Sequence, residues 1–203
     1  MILRSVRSAR AILREGGFRG FLGALGPYLF CKQRVELVAI DLTRGYTPPP
    51  CDPRAEIRKA TSEDMACFRA TPEGSRIEFY RDDIDGAEPF VAYWEGQPAH
   101  IAWLYDSALS NRLVRLTGGE AELRYAYTLR EYRGLGLYGA TNAFMAAELS
   151  RRGYSRVYGV IVEHNRAFRV GLELALLRVG FRRVRTLTHL RVMGIQLRPY
   201  LSF

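Results

Sequence analysis

The residues with the most capacity for chemistry lie between Glu120 and Arg152. At their centre stands Arg133-Gly134-Leu135-Gly136-Leu137-Tyr138-Gly139. Arg133 offers a planar charged fork suited to phosphate. Gly134 and Gly136 let the backbone approach a ligand with no Cβ in the way. The flanking residues supply the rest of an anion site. Leu123, Tyr125 and Tyr127 alternate with Arg124 and Ala126, a period of two that predicts a strand. Ala140 to Arg152 is rich in Ala, Leu, Met and Glu and predicts a helix. Gly153 suits the position just past its end, and Arg151 and Arg152 suit the negative end of its dipole. The first turn of such a helix presents unpartnered N–H groups and partial positive charge.

Three strand–turn–helix readings compete for this stretch. Gly134-Leu135-Gly136-Leu137-Tyr138-Gly139 matches the dinucleotide fingerprint letter for letter. Its glycines come late, and too little chain follows for a dinucleotide fold. A triphosphate loop would end in Gly-Lys-Ser/Thr, which is absent. The third reading is a turn for the pyrophosphate of an acyl-CoA. Thr128 to Tyr138 resembles motif A of the GNAT superfamily of N-acyltransferases, Arg/Gln-x-x-Gly-x-Gly/Ala. A second match follows in the family's order. Val157 to Val162 reads as a buried strand, then come Glu163-His164-Asn165-Arg166-Ala167, a helix, and Gly180-Phe181. The start, Ile57-Arg58-Lys59-Ala60-Thr61-Ser62-Glu63-Asp64, is also similar to how many GNAT domains begin. The resemblance covers roughly residues 54 to 193.

The resemblance implies an α+β fold: a mixed, mostly antiparallel sheet flanked by helices, with a bulged central strand that splays from the next. It implies direct transfer from acetyl-CoA or another acyl-CoA to the amine of a small molecule. Tyr127, Thr128 and Leu129 would hold pantetheine through their backbone, with the oxyanion donor near Leu129. Arg133, Gly134, Leu135, Gly136, Leu137 and Tyr138 would hold the pyrophosphate, and Asn165 and Phe168 would line the thiol end. Glu122 is the first choice for general base, with Glu120 and Glu163 as rivals. The sequence departs from the pattern at two places. Tyr138 stands where Gly or Ala is usual, and no tyrosine lies between Asn165 and Phe181 to protonate the thiolate. The alternatives are a long-chain N-acyltransferase charged by an acyl carrier protein and an inactive GNAT-like binding module.

The elements around this centre follow from composition and pattern. The chain has 203 residues and a formal net charge of +9, with arginine as nearly all of its basic residues. That charge fits an acidic partner such as CoA phosphates, a carrier protein or anionic lipid. No nucleic-acid recognition motif accompanies it. Cys31, Cys51 and Cys67 lack zinc or redox spacing and read as reduced thiols of a cytoplasmic protein. His100, His164 and His189 are scattered, so no metal site is expected.

Residues 1–14 place Arg4, Arg7, Arg10 and Arg14 on one helical face and Ile2, Val6, Ala9 and Leu13 on the other. A helical extension of this kind packs on the domain, forms a homodimer or lies on a membrane surface. Val35 to Leu42 has strand character. The prolines from Pro48 to Pro53 form a stiff linker. The expected division is an extension over 1–53 and an acyltransferase domain over 54–203. Phe90 to Trp94 and His100 to Tyr105 predict a hairpin around Glu95-Gly96. Tyr80, Arg81, Asp82 and Asp83 are candidates for acceptor contacts. Phe181 to Leu187 and Thr188 to Val192 are expected to complete the sheet as two strands.

Overall fold

A computed structural model of the protein describes residues 30–74, 86–109, 114–162, 175–192 and 195–196. Strand β1 runs Phe30–Asp41, β2 Ala55–Lys59, β3 Glu88–Trp94, β4 Gln97–Asp106 and β5 Glu120–Thr128. Strand β6 is Arg156–Val162, β7 Arg182–Val192 and β8 Ile195–Gln196. Helix α1 is Ser62–Ala70 and α2 is Leu137–Arg151, and a 3-10 turn spans Arg130–Tyr132. The strands form one sheet in the order β2-β3-β4-β5-β6-β1-β7-β8. Every pair is antiparallel except β5 with β6. Those two run parallel because α2 carries the chain back across the sheet between them. The expected mixed, mostly antiparallel sheet with flanking helices is what forms.

Local chemistry sets most boundaries. The hairpin of β3 and β4 turns on Glu95 and Gly96, both at positive φ (49 and 77), the twist that two-residue hairpins favour. Helix α2 begins three residues before the expected Ala140. It ends with Gly153 at φ +80, where the amide of Tyr154 donates to the Leu149 carbonyl and that of Gly153 to Ser150. That pairing satisfies the last carbonyls of the helix.

The sheet buries a core on each face. On one side α2 sets Ala143, Met145, Ala146 and Leu149 against Phe90, Ala102, Leu104, Ala121 and Leu123. On the other, Met65 and Phe68 of α1 meet Val91, Ile101, Trp103 and Tyr105.

Two expectations need correction. Residues 30–41 do not stand apart from the domain, because β1 lies inside the sheet between β6 and β7. A division at the proline segment therefore cuts through one sheet. The two closing strands over 181–192 are one strand of 11 residues. No glycine or proline interrupts that run, and the neighbouring place is taken by β1. The amphipathic stretch 1–14 and Tyr80 to Asp83 lie outside the described residues.

One polar knot fixes α1 to the sheet. The Thr61 hydroxyl accepts from the Asp64 amide, and the Asp64 carboxylate accepts from the Thr61 amide, a capping box. Asp64 also accepts both Arg58 nitrogens, at 2.5 and 2.6 Å, and the Tyr93 hydroxyl at 2.6 Å. Burial raises the Asp64 carboxyl, but Tyr93, Thr61 and Arg58 outweigh it and hold its pKa down to about 2. Such a group stabilises the fold fully above the ordinary carboxylate range and ceases to do so as pH falls through about 2. Asp64→Asn should therefore lower stability near neutral pH by about 2 kcal/mol in urea unfolding. The gap to wild type should narrow as pH falls from about 4 to about 2. A gap independent of pH would show that the charge of Asp64 is not what holds α1.

Candidate functional site

Strands β5 and β6 pair only over their first halves, from Glu120 opposite Arg156 to Leu123 opposite Gly159. Beyond that they part, and β5 continues to Thr128 and β6 to Val162. The cause lies in β5. Trp103 of β4 faces Arg124 and Ile101 faces Tyr127, so two steps along β4 span three along β5. The extra residue is a bulge, and Tyr125 there has φ +49. A bulge bends its strand and increases the local twist. It also resets the alternation. Leu123 and Ala126 belong to the core under α2, whereas Tyr125 and Tyr127 pack on the α1 side. The expected placement of Leu123, Tyr125 and Tyr127 on one face is thus corrected by the bulge.

The parting leaves a cleft of about 50 Å³. Ala126, Tyr138, Asn142 and Leu176 line it from one side of the sheet, and Arg124 and Tyr125 border it from the other. The opening thus lies between the two faces.

The glycine turn sits at the start of α2, whose Tyr138 and Asn142 line the cleft. Gly134 and Gly136 have φ +85 and +76, with no atom within 4 Å of where a Cβ would stand. Gly136 is the N-cap of α2. No side chain caps this end and no acid lies in the first turn, so the positive end of the helix carries no carboxylate of its own. The surroundings are open and polar enough to receive a diphosphate. Arg133 stands beside the turn. Its Nε donates to the Thr128 carbonyl at 3.1 Å, its Nη2 to the Tyr127 hydroxyl at 3.3 Å, and its guanidinium lies 5.5 Å from the Tyr127 ring centre.

Tyr138 does not cover the turn. Its ring packs edge-on against His100, centres 5.8 Å apart, and burial pushes its phenol pKa up. Asn142 Nδ2 donates to the Tyr138 carbonyl at 2.7 Å. His100 is fully buried, its Nδ1 2.7 Å from the Thr128 hydroxyl. Burial pushes its pKa down to about 3, so the imidazole is neutral. Sequence reasoning passed over His100, whose isolated position on a predicted strand gave no signal.

The structure brings Tyr127, Thr128, Leu129 and Arg133 to Tyr138 together at one end of β5. Leu129 needs correction as an oxyanion donor, because its amide donates to the Ala99 carbonyl at 2.9 Å. Alternation then turns the backbone of Thr128 and Ala126 toward the unpaired edge. The carbonyl of Thr128 accepts from Arg133 Nε.

Glu122 is 0% exposed. Its Oε2 accepts from the Val114 amide at 2.9 Å, and its Oε1 lies 3.7 Å from Arg124 Nε. Glu120 is held by Thr117 and by the Tyr158 hydroxyl at the start of β5. Burial raises its carboxyl, but those donors outweigh it and lower the pKa. Glu163, His164, Asn165 and Phe168 lie outside the described residues. Among the described residues no group of three or more His, Cys, Asp and Glu is placed to hold a metal ion. Nor is any described helix long and apolar enough to cross a membrane.

No protein-family model and no curated protein matches the chain. Solved structures do. A GCN5-related N-acetyltransferase from Sphaerobacter thermophilus superposes with a TM-score of 0.54 at 15% identity, over 93% of this chain and 59% of that one. One from Kribbella flavida gives 0.51 at 15% identity, over 86% and 63%. A GCN5-related N-acetyltransferase-like protein from Streptococcus suis gives 0.53 at 12% identity, over 87% and 68%. The chain spans about three fifths of the length of most such chains, 59% and 63% in the first two. At these identities the likeness is one of fold.

Glu122 gives this region a stability test. Glu122→Ala removes the acceptor of the Val114 amide and leaves Arg124 without its carboxylate. It should cost about 3–5 kcal/mol in urea unfolding. Glu122→Gln keeps an oxygen for Val114 and should cost less. Equal losses would show that the charge, and not the Val114 bond, governs the site.

Proposed function

We propose that the chain, which has the fold of the GCN5-related N-acetyltransferases, transfers an acyl group from acyl-CoA to the amine of a small molecule, with acetyl-CoA as donor. The observation that carries this reading is the parting of β5 from β6 beside an open, glycine-flanked helix start. An extended, amide-bearing pantetheine fits between two strands whose facing edges lack each other as partners. The diphosphate fits the positive end of α2.

In this reading the backbone of Ala126 and Thr128 meets pantetheine, flanked by Tyr127 and Leu129. Arg133 and the amides from Gly134 to Tyr138 hold the diphosphate, Arg133 swinging from the Thr128 carbonyl to do so. Asn165 and Phe168 are assigned to the thiol end. The acceptor amine must lose its proton before its lone pair attacks the thioester carbonyl. The C–N bond forms, the C–S bond breaks and the thiolate takes a proton. In this reading an amide at the bulge serves as the oxyanion donor. Glu122 is assigned as general base through water, because its carboxylate is fully buried. Glu163 is its rival.

Acetyl-CoA should raise the melting temperature by several degrees at saturating concentration. Gly136→Glu and Arg133→Glu should each abolish that rise, and a rise intact in both would reject the turn. Glu122→Gln should depress turnover most at acidic pH, with donor affinity kept. The deficit should shrink as pH rises and the amine deprotonates unaided. A normal rate at every pH would retire Glu122 as base.

A further inference from the structure

Arg124 has no part in holding the donor in the acyl-transfer reading. It lies on the α1 side of β5, across the sheet from α2, and borders the cleft. Its side chain is 14% exposed. The guanidinium sits 4.5 Å from the centre of the Tyr125 ring and 5.2 Å from that of Tyr105. Its Nη2 donates to the Tyr125 hydroxyl at 3.0 Å. Its Nε stands 3.7 Å from Glu122 Oε1, an ion pair longer than a hydrogen bond.

Stability alone is a weak reason for this arrangement. A buried ion pair is commonly replaceable by apolar side chains without loss. What the arrangement does achieve is orientation. Two aromatic rings hold the guanidinium plane by cation–π contact, and a fork so held directs its donors within that plane. That is the geometry in which arginine recognises a carboxylate. Glu122 balances the charge of Arg124, so discrimination rests on the directed donors, which a plain alkylammonium cannot engage. A zwitterion would meet them with its negative end and leave its amine facing the opening.

We propose that the acceptor is an amine that carries a carboxylate, of the amino-acid class, and that Arg124 is the residue that reads the carboxylate. The proposal names the acceptor of the acyl-transfer reading and rests on it for the direction of the amine. Binding of the carboxylate can be measured without turnover.

The test uses matched pairs on the full chain. Phenylalanine is compared with phenethylamine, glycine with methylamine, and phosphoethanolamine with ethanolamine. Binding is followed by NMR titration, and acetyl transfer by thiol release from acetyl-CoA. The carboxylate-bearing member of the first two pairs should bind about 10- to 100-fold more tightly. Arg124→Lys should erode that preference and Arg124→Gln abolish it in the binding titration, with acetyl-CoA affinity unchanged. Because Arg124→Gln leaves Glu122 buried without its partner, the double variant Glu122→Gln/Arg124→Gln, which removes both charges, repeats the binding arm. Equal binding within the pairs, or a preference that survives loss of Arg124, overturns the proposal. Tighter binding of phosphoethanolamine than of glycine overturns the carboxylate assignment. If acetyl-CoA fails to bind while the carboxylate preference stands and needs Arg124, the acyl-transfer reading falls and the anion site remains.

Discussion

Everything in this molecule turns on one break in a hydrogen-bond ladder. Past Leu123 and Gly159 the central strands cease to pair, so backbone groups of β5 and β6 inside a sheet lose the partners that strands normally give each other. Such groups are costly to leave unmade. Water can serve them in an open cleft, and a ligand of extended amides can serve them better. The fold thus carries an unmet demand at a fixed place. The Arg133 fork on the Thr128 carbonyl answers part of that demand from within the chain.

The break needs a cause that survives folding, and the bulge at Tyr125 supplies it. A tyrosine at φ +49 is strained by about 1–3 kcal/mol, so its surroundings must over-determine it. Tyr125 packs on Tyr105, ring centres 6.0 Å apart, beneath the Arg124 guanidinium. Glu122 faces that guanidinium while binding the Val114 amide. One buried carboxylate therefore ties Val114 to Arg124 beside the bulge. Strain, charge and aromatic contact are parts of a single arrangement.

Much of the fold and part of the site were legible in the sequence. The hairpin at Glu95-Gly96, the capping box at Thr61 and Asp64, and the glycine turn before α2 are local features, each written in a few adjacent residues. That the central strand is bulged and parts from the next came with the resemblance and is what forms; where the bulge falls was not legible, because residue 125 is a tyrosine and nothing in its type announces positive φ. That omission put Tyr125 on the wrong face and concealed Arg124. The amide of Leu129 was misassigned because its partner, Ala99, is 30 residues away, and the phase of the ladder depends on that same bulge. His100 was missed because burial, which makes it a neutral imidazole, is a property of the packed sheet. The strand β1 was seen as a strand, but its place in the sheet is non-local and follows from no pattern within residues 30–41.

That place matters to the cleft. β6 has β5 beside it only from Arg156 to Gly159. Along its whole length, from Arg156 to Val162, it is paired with Asp41 to Val35 of β1. The half of β6 that faces the opening, Val160 to Val162, therefore depends on β1 alone for its ladder. The two strands pack closely there: a Cβ on Gly159 would stand 3.1 Å from Val38 Cγ2. β1 is in turn held on its other edge by β7, from Phe30 to Ala39. The far wall of the cleft is thus backed by two strands from opposite ends of the chain. A wall with that backing can stand open without a neighbour on its inner edge, which is what a strand bordering a gap in a sheet requires.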